Sequence, residues 1–386
     1  MTTPHASALS SEELARYRRQ ITLPEVGVEG QERLSRARVL VVGTGGLGSP
    51  VALYLAAAGI GTLGLVDFDR VDATNLHRQV LHGTASVGTP KVDSARARLA
   101  DLNPHVRVVT HDAALTSANA LDILRGYDLV IDGTDNFPTR YLLSDAGVLL
   151  GIPVVYGSVQ RFEGQAAIFC TPSGPCYRCL FREPPPPGMV PSCAEAGVFG
   201  VMPGLVGMIQ ATEALKWLLG LGQTLDGRLL LVDAMRMTTR TIALRRDPEC
   251  PACGTRTITA LVDYEQFCGV RHDGSPLAPA APMPDELSPA EAAARVAAGA
   301  FLLDVREPFE WQIARIDGAV LVPMREVPQR LDAIPRDRDV IVHCHHGMRS
   351  RSVMGFLRMQ GYERVANLAG GIDAWSHEVD PAVPTY

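Results

Sequence analysis

The 386-residue chain lacks any apolar run long enough to cross a bilayer. Its longest nearly apolar stretch, AGVLLGIPVVY from Ala146, is short and is interrupted by Pro153, which leaves no transmembrane helix. The opening residues, MTTPHASALSSEELARYRRQ, have no apolar core of the kind a secretory signal needs, so the cytoplasm is the expected compartment. An excess of positive charge is missing too. With 36 Lys and Arg against 42 Asp and Glu, a formal net charge of -6, there is no basic field to grip a phosphate backbone, which argues against nucleic acid as the main ligand. There is no internal repeat. What is present is eight cysteines, and without a signal sequence they point to metal binding or thiol chemistry rather than disulfides.

The length exceeds one typical domain. Ser10 followed by Glu13 fits a capping box that opens a helix. Short apolar runs at residues 39–42, 62–67, 106–109, 129–132 and 153–156 read as buried strands separated by helical stretches, the alternation of a parallel sheet covered by helices on both faces. Beyond residue 160, GQAAIFC and GRLLLVDAMRMTTRTIALRR read as antiparallel strands added to that sheet. FREPPPPGMVPS, residues 181–192, reads as a surface loop. GSPLAPAAPMP is the clearest boundary, rich in Pro and Ala. After it, FLLDVR, AVLVP, DVIVHC and RVANLAG are four short strands interleaved with helices, a second and smaller α/β unit. The division expected is therefore a first domain over 1–260, a linker over 261–284 and a second domain over 285–386. The fold class is a Rossmann-like, mostly parallel sheet with antiparallel additions, followed by the smaller α/β domain.

GTGGLG follows a strand and opens a helix, so Gly43, Gly45, Gly46 and Gly48 form a phosphate-binding turn. Such glycines let backbone amides approach a phosphate, and the helix N-terminus supplies positive potential. Asp67, at the end of the next strand, is placed to accept hydrogen bonds from ribose hydroxyls. This much would suit a nicotinamide dinucleotide. Asn75, Arg78 and Gln79 in VDATNLHRQ and Lys91 in VGTPKV change the reading, because a triphosphate under attack needs cations and amide donors around its charge, whereas a dehydrogenase has no use for them there. DGTDN adds Asp132 and Asp135 at the carboxyl edge of the sheet, where Mg²⁺ could be held by few protein ligands. Each residue has a plainer alternative: a solvated lysine at Lys91, a turn residue at Asn75, an Asx turn or helix cap at Asp135.

The cysteines divide by context. PCYRCL and ECPAC supply Cys176, Cys179, Cys250 and Cys253, two Cys-x-x-Cys pairs that make a tetrahedral sulfur site for structural Zn²⁺ with no position open for catalysis. Cys193 directly follows the proline-rich loop, where it is either a mobile nucleophile or a spare surface thiol. Cys170 and Cys268 read as small packing residues. Cys344 ends the run VIVHC, and HHGMR leads from it into a helix. A cysteine phosphatase spaces its cysteine and arginine as Cys-x5-Arg, but Cys344 and Arg349 are spaced as Cys-x4-Arg. The tighter ring of amides suits a terminal sulfur on the cysteine, with Arg349 and the helix N-terminus stabilising a persulfide anion. Gly347 supplies the turn. His343 is expected to point into the core, and His345 with His346 lacks spaced partners for a metal.

RYRRQ, GTGGLGSPVALYLAAAGIG, DFDRVDATNLHRQ, VGTPKV and DGTDN together resemble the ThiF/MoeB-type family, relatives of ubiquitin-activating enzymes, over about residues 10–255. The resemblance implies adenylylation, with ATP and Mg²⁺, of the C-terminal glycine of a small ubiquitin-like sulfur carrier protein ending in Gly-Gly. It implies that Gly46, Asp67, Asn75, Arg78, Lys91, Asp135 and Asn136 hold ATP and magnesium. It further implies a homodimer in which Arg19 reaches the partner's triphosphate, and it aligns Cys193 with the family's loop cysteine. LLDVREPFEW, DGAVLVP, CHHGMRS and LAGGIDAW resemble a rhodanese-like sulfurtransferase over residues 285–386, departing only in ARIDGA, where that family usually has His-Ile-Pro. Together the resemblances imply that a Cys344 persulfide, loaded by a cysteine desulfurase or by thiosulfate, turns the acyl adenylate into a thiocarboxylate, as in molybdenum cofactor biosynthesis, thiamine, tRNA thiolation or cysteine pathways. A nicotinamide-dependent oxidoreductase and a non-catalytic nucleotide-binding regulator are the alternatives.

Overall fold

The computed structural model describes residues 9–185, 197–271, 283–336 and 338–386. They divide into two compact units, Met1–Leu277 and Ala278–Tyr386. The strands of the first unit are β1 (Arg38–Val42), β2 (Thr62–Val66), β3 (Arg107–His111), β4 (Leu129–Asp132), β5 (Val154–Gln160), β6 (Glu163–Phe169), β7 (Arg228–Asp233) and β8 (Thr238–Ala243). They form one sheet in the order β3-β2-β1-β4-β5-β6-β7-β8. The first five are parallel, and β6, β7 and β8 add on antiparallel.

β1 and β4 read as unbroken apolar runs because both faces are covered: Val39, Leu40, Val41, Leu129, Val130 and Ile131 are all fully buried. Side chains of this size contribute roughly 2 kcal/mol each when withdrawn from water. Val42 pairs with Val66 on one side and with Asp132 on the other, so the carboxyl ends of β1, β2 and β4 finish level. Strand order reverses between β1 and β4, the place where an open α/β sheet leaves a crevice. Helix Gly48–Ala58 covers one face next to that crevice and stops at Gly59, whose φ of 84° provides the left-handed cap. The Ser10/Glu13 capping box is present at the start of helix Ser11–Arg16.

Helix Val201–Leu219, the longest among the described residues, escapes the sequence reading. Pro203, Gly204 and Gly207 look like breakers. Pro203 lies in the first turn, where its missing N-H is harmless. A Cβ on Gly207 would come within 2.6 Å of the Leu47 carbonyl oxygen, so this glycine lets the helix pack tightly on the glycine turn. The chain also leaves the first unit later than expected. Residues Tyr264–Cys268 are helical, and Tyr264 is buried with its hydroxyl donating to Asp145 at 2.7 Å. The linker expected over 261–284 therefore starts beyond this helix; residues 272–282 lie outside the described set.

The second unit contains β9 (Glu286–Leu287), β10 (Phe301–Asp304), β11 (Val320–Leu321), β12 (Val340–His343) and β13 (Val365–Leu368). All are parallel, in the order β11-β10-β12-β13-β9. The two-residue β9 is the one strand absent from the sequence reading. Buried side chains cover both faces, Val340 and Val342 on one and Ile341 with Trp375 on the other. Among the described residues, no helix is long and apolar enough to cross a membrane.

Candidate functional site

A cavity of about 490 Å³ opens at the carboxyl edge of β1, β2 and β4, a size that suits a nucleotide. Gly43, Gly45, Gly46, Asp67, Asn75, Arg78, Lys91, Asp135 and Asn136 line it; Gly48 and Arg19 do not. The glycines act differently. Gly43 has a φ of 86°, and a Cβ on Gly48 would lie 1.8 Å from the Gly43 carbonyl oxygen, so both are demanded by the turn itself. A Cβ on Gly45 would meet nothing closer than Gln79 Nε2 at 3.5 Å, which leaves that stretch of backbone free to face a ligand.

Asp67 is buried, and its Oδ2 accepts from Thr44 N-H at 2.7 Å and from the Thr44 hydroxyl at 2.9 Å. Oδ1 accepts from Asp69 N-H at 3.0 Å. The carboxylate therefore fastens the glycine turn to β2 while lining the pocket. Lys91 Nζ sits 2.7 Å from Asp69 Oδ2, and Arg78 Nη2 donates to Asn75 Oδ1 at 2.7 Å. Half of the Asp69 side chain is exposed, so its pair with Lys91 is weak by comparison with what a triphosphate offers, and the lysine can exchange one for the other. Arg19 is exposed and does not line the cavity of its own chain.

Asp135 is exposed and faces the cavity. The helix that follows, Phe137–Leu150, is capped by Asn136, whose Oδ1 accepts from Thr139 N-H at 2.9 Å, which leaves the Asp135 carboxylate free of the capping role. Asp132 is buried and accepts from Thr134 through Oδ1. Burial pushes its carboxyl up, and it does not line the cavity, so Asp135 alone of the two is presented to a ligand. The sequence reading misses one cation. Arg140 lines the cavity at 8% exposure, donates from Nη2 to Ser158 Oγ at 3.1 Å, and packs against Phe137 and Tyr156. Its Nε has no hydrogen-bond partner. Only its position one turn past DGTDN could have marked it.

Cys176, Cys179, Cys250 and Cys253 converge. Sulfur pairs lie 3.5 Å (Cys176 to Cys250), 3.3 Å (Cys179 to Cys253) and 3.9 Å (Cys176 to Cys179) apart. Four sulfurs about 2.3 Å from a tetrahedral zinc ion stand about 3.8 Å from each other, so the set fits that metal. Cys170 and Cys268 are buried packing residues, with burial pushing the Cys268 thiol up to about 12. Cys193 lies outside the described residues.

In the second unit Cys344 follows β12 and is 2% exposed. Its Sγ accepts from Gly347 N-H at 3.1 Å and from the Ser350 hydroxyl at 3.3 Å. Burial works against ionisation, but the Ser350 hydroxyl and the amides of Ser350, Gly347 and Arg349 outweigh it and hold the thiol below its ordinary value. Gly347, with φ 92°, begins helix Met348–Met359. Ser350 was not anticipated: a serine one turn into a helix carries no signal by itself.

Arg349 has a partner that the sequence does not reveal. Its guanidinium holds Glu310 in a bidentate pair, Nη1 to Oε2 at 2.7 Å and Nη2 to Oε1 at 2.6 Å, and this drives the Glu310 carboxyl down to about 2. The arginine thus fastens the loop to helix Pro308–Ile313 and at the same time interacts with the Cys344 sulfur. His343 is fully buried, as expected, and burial pushes it down to about 4. For His345 and His346 the expectation of no partner needs correction: Asp373 approaches both, with its Oδ2 3.8 Å from His346 Nδ1. The two rings stack at 4.0 Å and 15°. Gly371 explains the LAGGIDAW segment. A Cβ there would fall 2.3 Å from the His345 carbonyl oxygen, and the amides of Ile372 and Asp373 donate to the carbonyls of Cys344 and His345.

Residues 17–252 match the ThiF family, and residues 288–378 match the rhodanese-like domain. The chain is 49% identical, over 99% of its length and 97% of the other, to a Mycobacterium tuberculosis protein named probable adenylyltransferase/sulfurtransferase MoeZ. It is 60% identical to the sulfur carrier protein adenylyltransferase of Thermus thermophilus, over 68% of this chain and 99% of that one. It is 42% identical to the adenylyltransferase and sulfurtransferase MOCS3 of Aedes aegypti, over 98% and 90%. The crystal structure of E. coli MccB with MccA-N7isoASN shares the fold of the first unit's class, with a TM-score of 0.56 and 19% identity over 65% of this chain and 77% of that one. These matches favour neither an oxidoreductase nor a non-catalytic regulator. A nucleotide-sized cavity behind a glycine turn and an ionisable, amide-bonded cysteine thus occur in a chain that belongs to the ThiF family and is an adenylyltransferase joined to a rhodanese-like sulfurtransferase domain.

Proposed function

We propose that the first unit adenylylates the C-terminal glycine of a small ubiquitin-like sulfur carrier protein, and that the second supplies the sulfur that converts the adenylate to a thiocarboxylate. The observation that carries this reading is that one chain holds both a pocket able to take a nucleotide and a cysteine, Cys344, whose sulfur is met by an amide and a hydroxyl.

In the first step the carrier carboxylate attacks the α-phosphorus of ATP, and pyrophosphate leaves with the electrons of the broken P-O bond. Gly45 and Gly46 offer backbone to the phosphates, Arg78, Lys91 and Arg140 offer positive charge, and Asp67 accepts from ribose. Asp135 and its neighbours would hold Mg²⁺, which neutralises phosphate charge when bound. Arg19 of a second copy in a homodimer would complete the cation set. In the next step the outer sulfur of the Cys344 persulfide attacks the acyl carbon and AMP leaves, giving an acyl disulfide. A second thiol, for which Cys193 is the candidate, then attacks Cys344 Sγ. The thiocarboxylate departs with the electron pair, and the disulfide left behind is reduced by an external dithiol. A cysteine desulfurase or thiosulfate would reload Cys344. Cys176, Cys179, Cys250 and Cys253 would bind zinc as a structural clamp. Free thiols in these numbers suit a cytoplasmic setting.

The test uses small proteins ending in Gly-Gly, captured on the chain and weighed intact after addition of ATP and thiosulfate; a gain matching replacement of one oxygen by sulfur identifies the carrier. With that carrier, Cys344→Ala is expected to retain ATP-pyrophosphate exchange and to lose thiocarboxylate formation. Asp135→Ala is expected to lose both. Thiocarboxylate formed by Cys344→Ala, or exchange retained by Asp135→Ala, overturns the corresponding role.

A further inference from the structure

The end of the second unit packs against the cysteine loop. Residues 380–386 follow helix Gly371–Glu378 and are held to the rest of the unit at Val383 and Tyr386. Ala382 N-H donates to Asp380 Oδ1 at 3.0 Å, the Ser376 hydroxyl donates to the Val383 carbonyl, and Val383 is buried in the same apolar cluster as Trp375. This anchorage delivers Tyr386 to the loop with both its ring and its hydroxyl engaged. The ring stacks on His345, the residue next to Cys344, with centroids 4.3 Å apart and planes inclined by 14°. His346 covers the other face at 4.0 Å, so the His345 ring is held between two others. The hydroxyl accepts from Arg306 Nη1 at 2.8 Å and donates to Glu310 Oε1 at 3.2 Å. That carboxylate oxygen is the one Arg349 Nη2 holds at 2.6 Å.

Tyr386 therefore reaches the cysteine loop at both ends, directly at His345 and through Glu310 at Arg349. The backbone between those points carries the Gly347 amide that bonds Sγ. Arg306, which anchors the hydroxyl, is itself fully buried and fixed by Asp304 and the Ala314 carbonyl. The hydroxyl of Tyr386, itself 40% exposed, is thus tied to a buried and fixed arginine. We propose that Tyr386 is a positioning residue for sulfur transfer, holding the cysteine loop closed at His345 and, by way of Glu310, at Arg349. The proposal rests on Cys344 being the sulfur-bearing residue.

The experiment follows transfer of sulfur from thiosulfate to cyanide by the full-length chain, with the pH dependence of Cys344 alkylation by iodoacetamide measured alongside. Cys344→Ala comes first: if it remains active, the sulfur-bearing role of Cys344 falls, and with it the basis of the proposal. Given an inactive Cys344→Ala, Tyr386→Ala is expected to lower kcat about tenfold or more through misplacement of the loop and to move the alkylation midpoint to higher pH as the Gly347 and Ser350 donors lose their alignment. Tyr386→Phe, which keeps the stack and loses the hydroxyl, is expected to fall between this variant and the wild type. If the hydroxyl acts through Glu310, the effects of Tyr386→Phe and Glu310→Gln on kcat/KM will be less than additive in free energy. A Tyr386→Ala protein with a lowered melting temperature but unchanged kcat and alkylation midpoint, or fully additive Tyr386→Phe and Glu310→Gln effects, overturns the proposal.

Discussion

Both units carry a glycine-containing turn where a parallel strand ends before a helix, yet they treat the turn in opposite ways. After β1 the turn stays open: Gly45 faces a broad cavity, and the nearby cations are tied to groups that a polyanion can replace, such as half-exposed Asp69. After β12 the turn is shut around one atom. Cys344 is 2% exposed, its sulfur takes a hydrogen bond from an amide and another from a hydroxyl, and Arg349 is committed to the buried Glu310. Strand, turn and helix are a common device; whether it receives a nucleotide or stabilises a single sulfur depends on what fills the turn and on where the neighbouring charges are tied.

The largest effect that sharpens this contrast is expected from Gly48→Ala. Its new Cβ would overlap the Gly43 carbonyl oxygen at 1.8 Å, so ATP-pyrophosphate exchange should vanish, while thiosulfate-to-cyanide transfer by the same chain persists. Gly45→Ala makes only an ordinary contact, with Gln79 Nε2 at 3.5 Å, and should weaken ATP binding by less than about tenfold, or about 1.4 kcal/mol; equal loss in the two variants would break the distinction between glycines required by packing and glycines left open. Cys250→Ser, or treatment with a strong chelator, comes next. It should destabilise the first unit by about 3 kcal/mol or more, seen in calorimetry as an earlier transition for that unit alone. A smaller change is expected from Ser350→Ala, which removes the hydroxyl donor to Sγ and should raise the Cys344 thiol, measured as an alkylation profile moved to higher pH. An unshifted profile would mean that the amides suffice.

The smallest is a pH effect at Glu310. Its folded value, about 2, lies below the ordinary 4.5, with the Arg349 hydrogen bonds as the main cause. The stability it contributes is therefore complete above about pH 4.5 and is lost as pH falls through about 2. The melting temperature of the second unit should decline across that window, and Glu310→Gln should flatten the decline.

The sequence made some of this plain and concealed the rest for physical reasons. β1, β4 and β12 were readable because strands buried on both faces are written as continuous apolar runs. The glycine turn was readable from its place between such a strand and a helix. Helix Val201–Leu219 was hidden because its proline and glycines serve packing and the first turn, which local propensity scores as breaks. β9 has two residues, too few for any period. Within the sites, residues that stand in a recognisable motif were found, even the cysteine pairs 74 positions apart, and residues joined by folding without such a motif were not. Glu310 lies 39 positions from Arg349 and Tyr386 76 from Glu310. The acidic partner of Arg349 was missed for the same cause, since Glu310 comes from a different helix.

The five-stranded sheet ends on both sides in a strand of two residues, β11 and β9. An exposed border of that length offers an incoming strand too few unpaired amides and carbonyls to extend the sheet. The unit that bears Cys344 is thereby guarded against edge-to-edge aggregation by the brevity of its outermost strands.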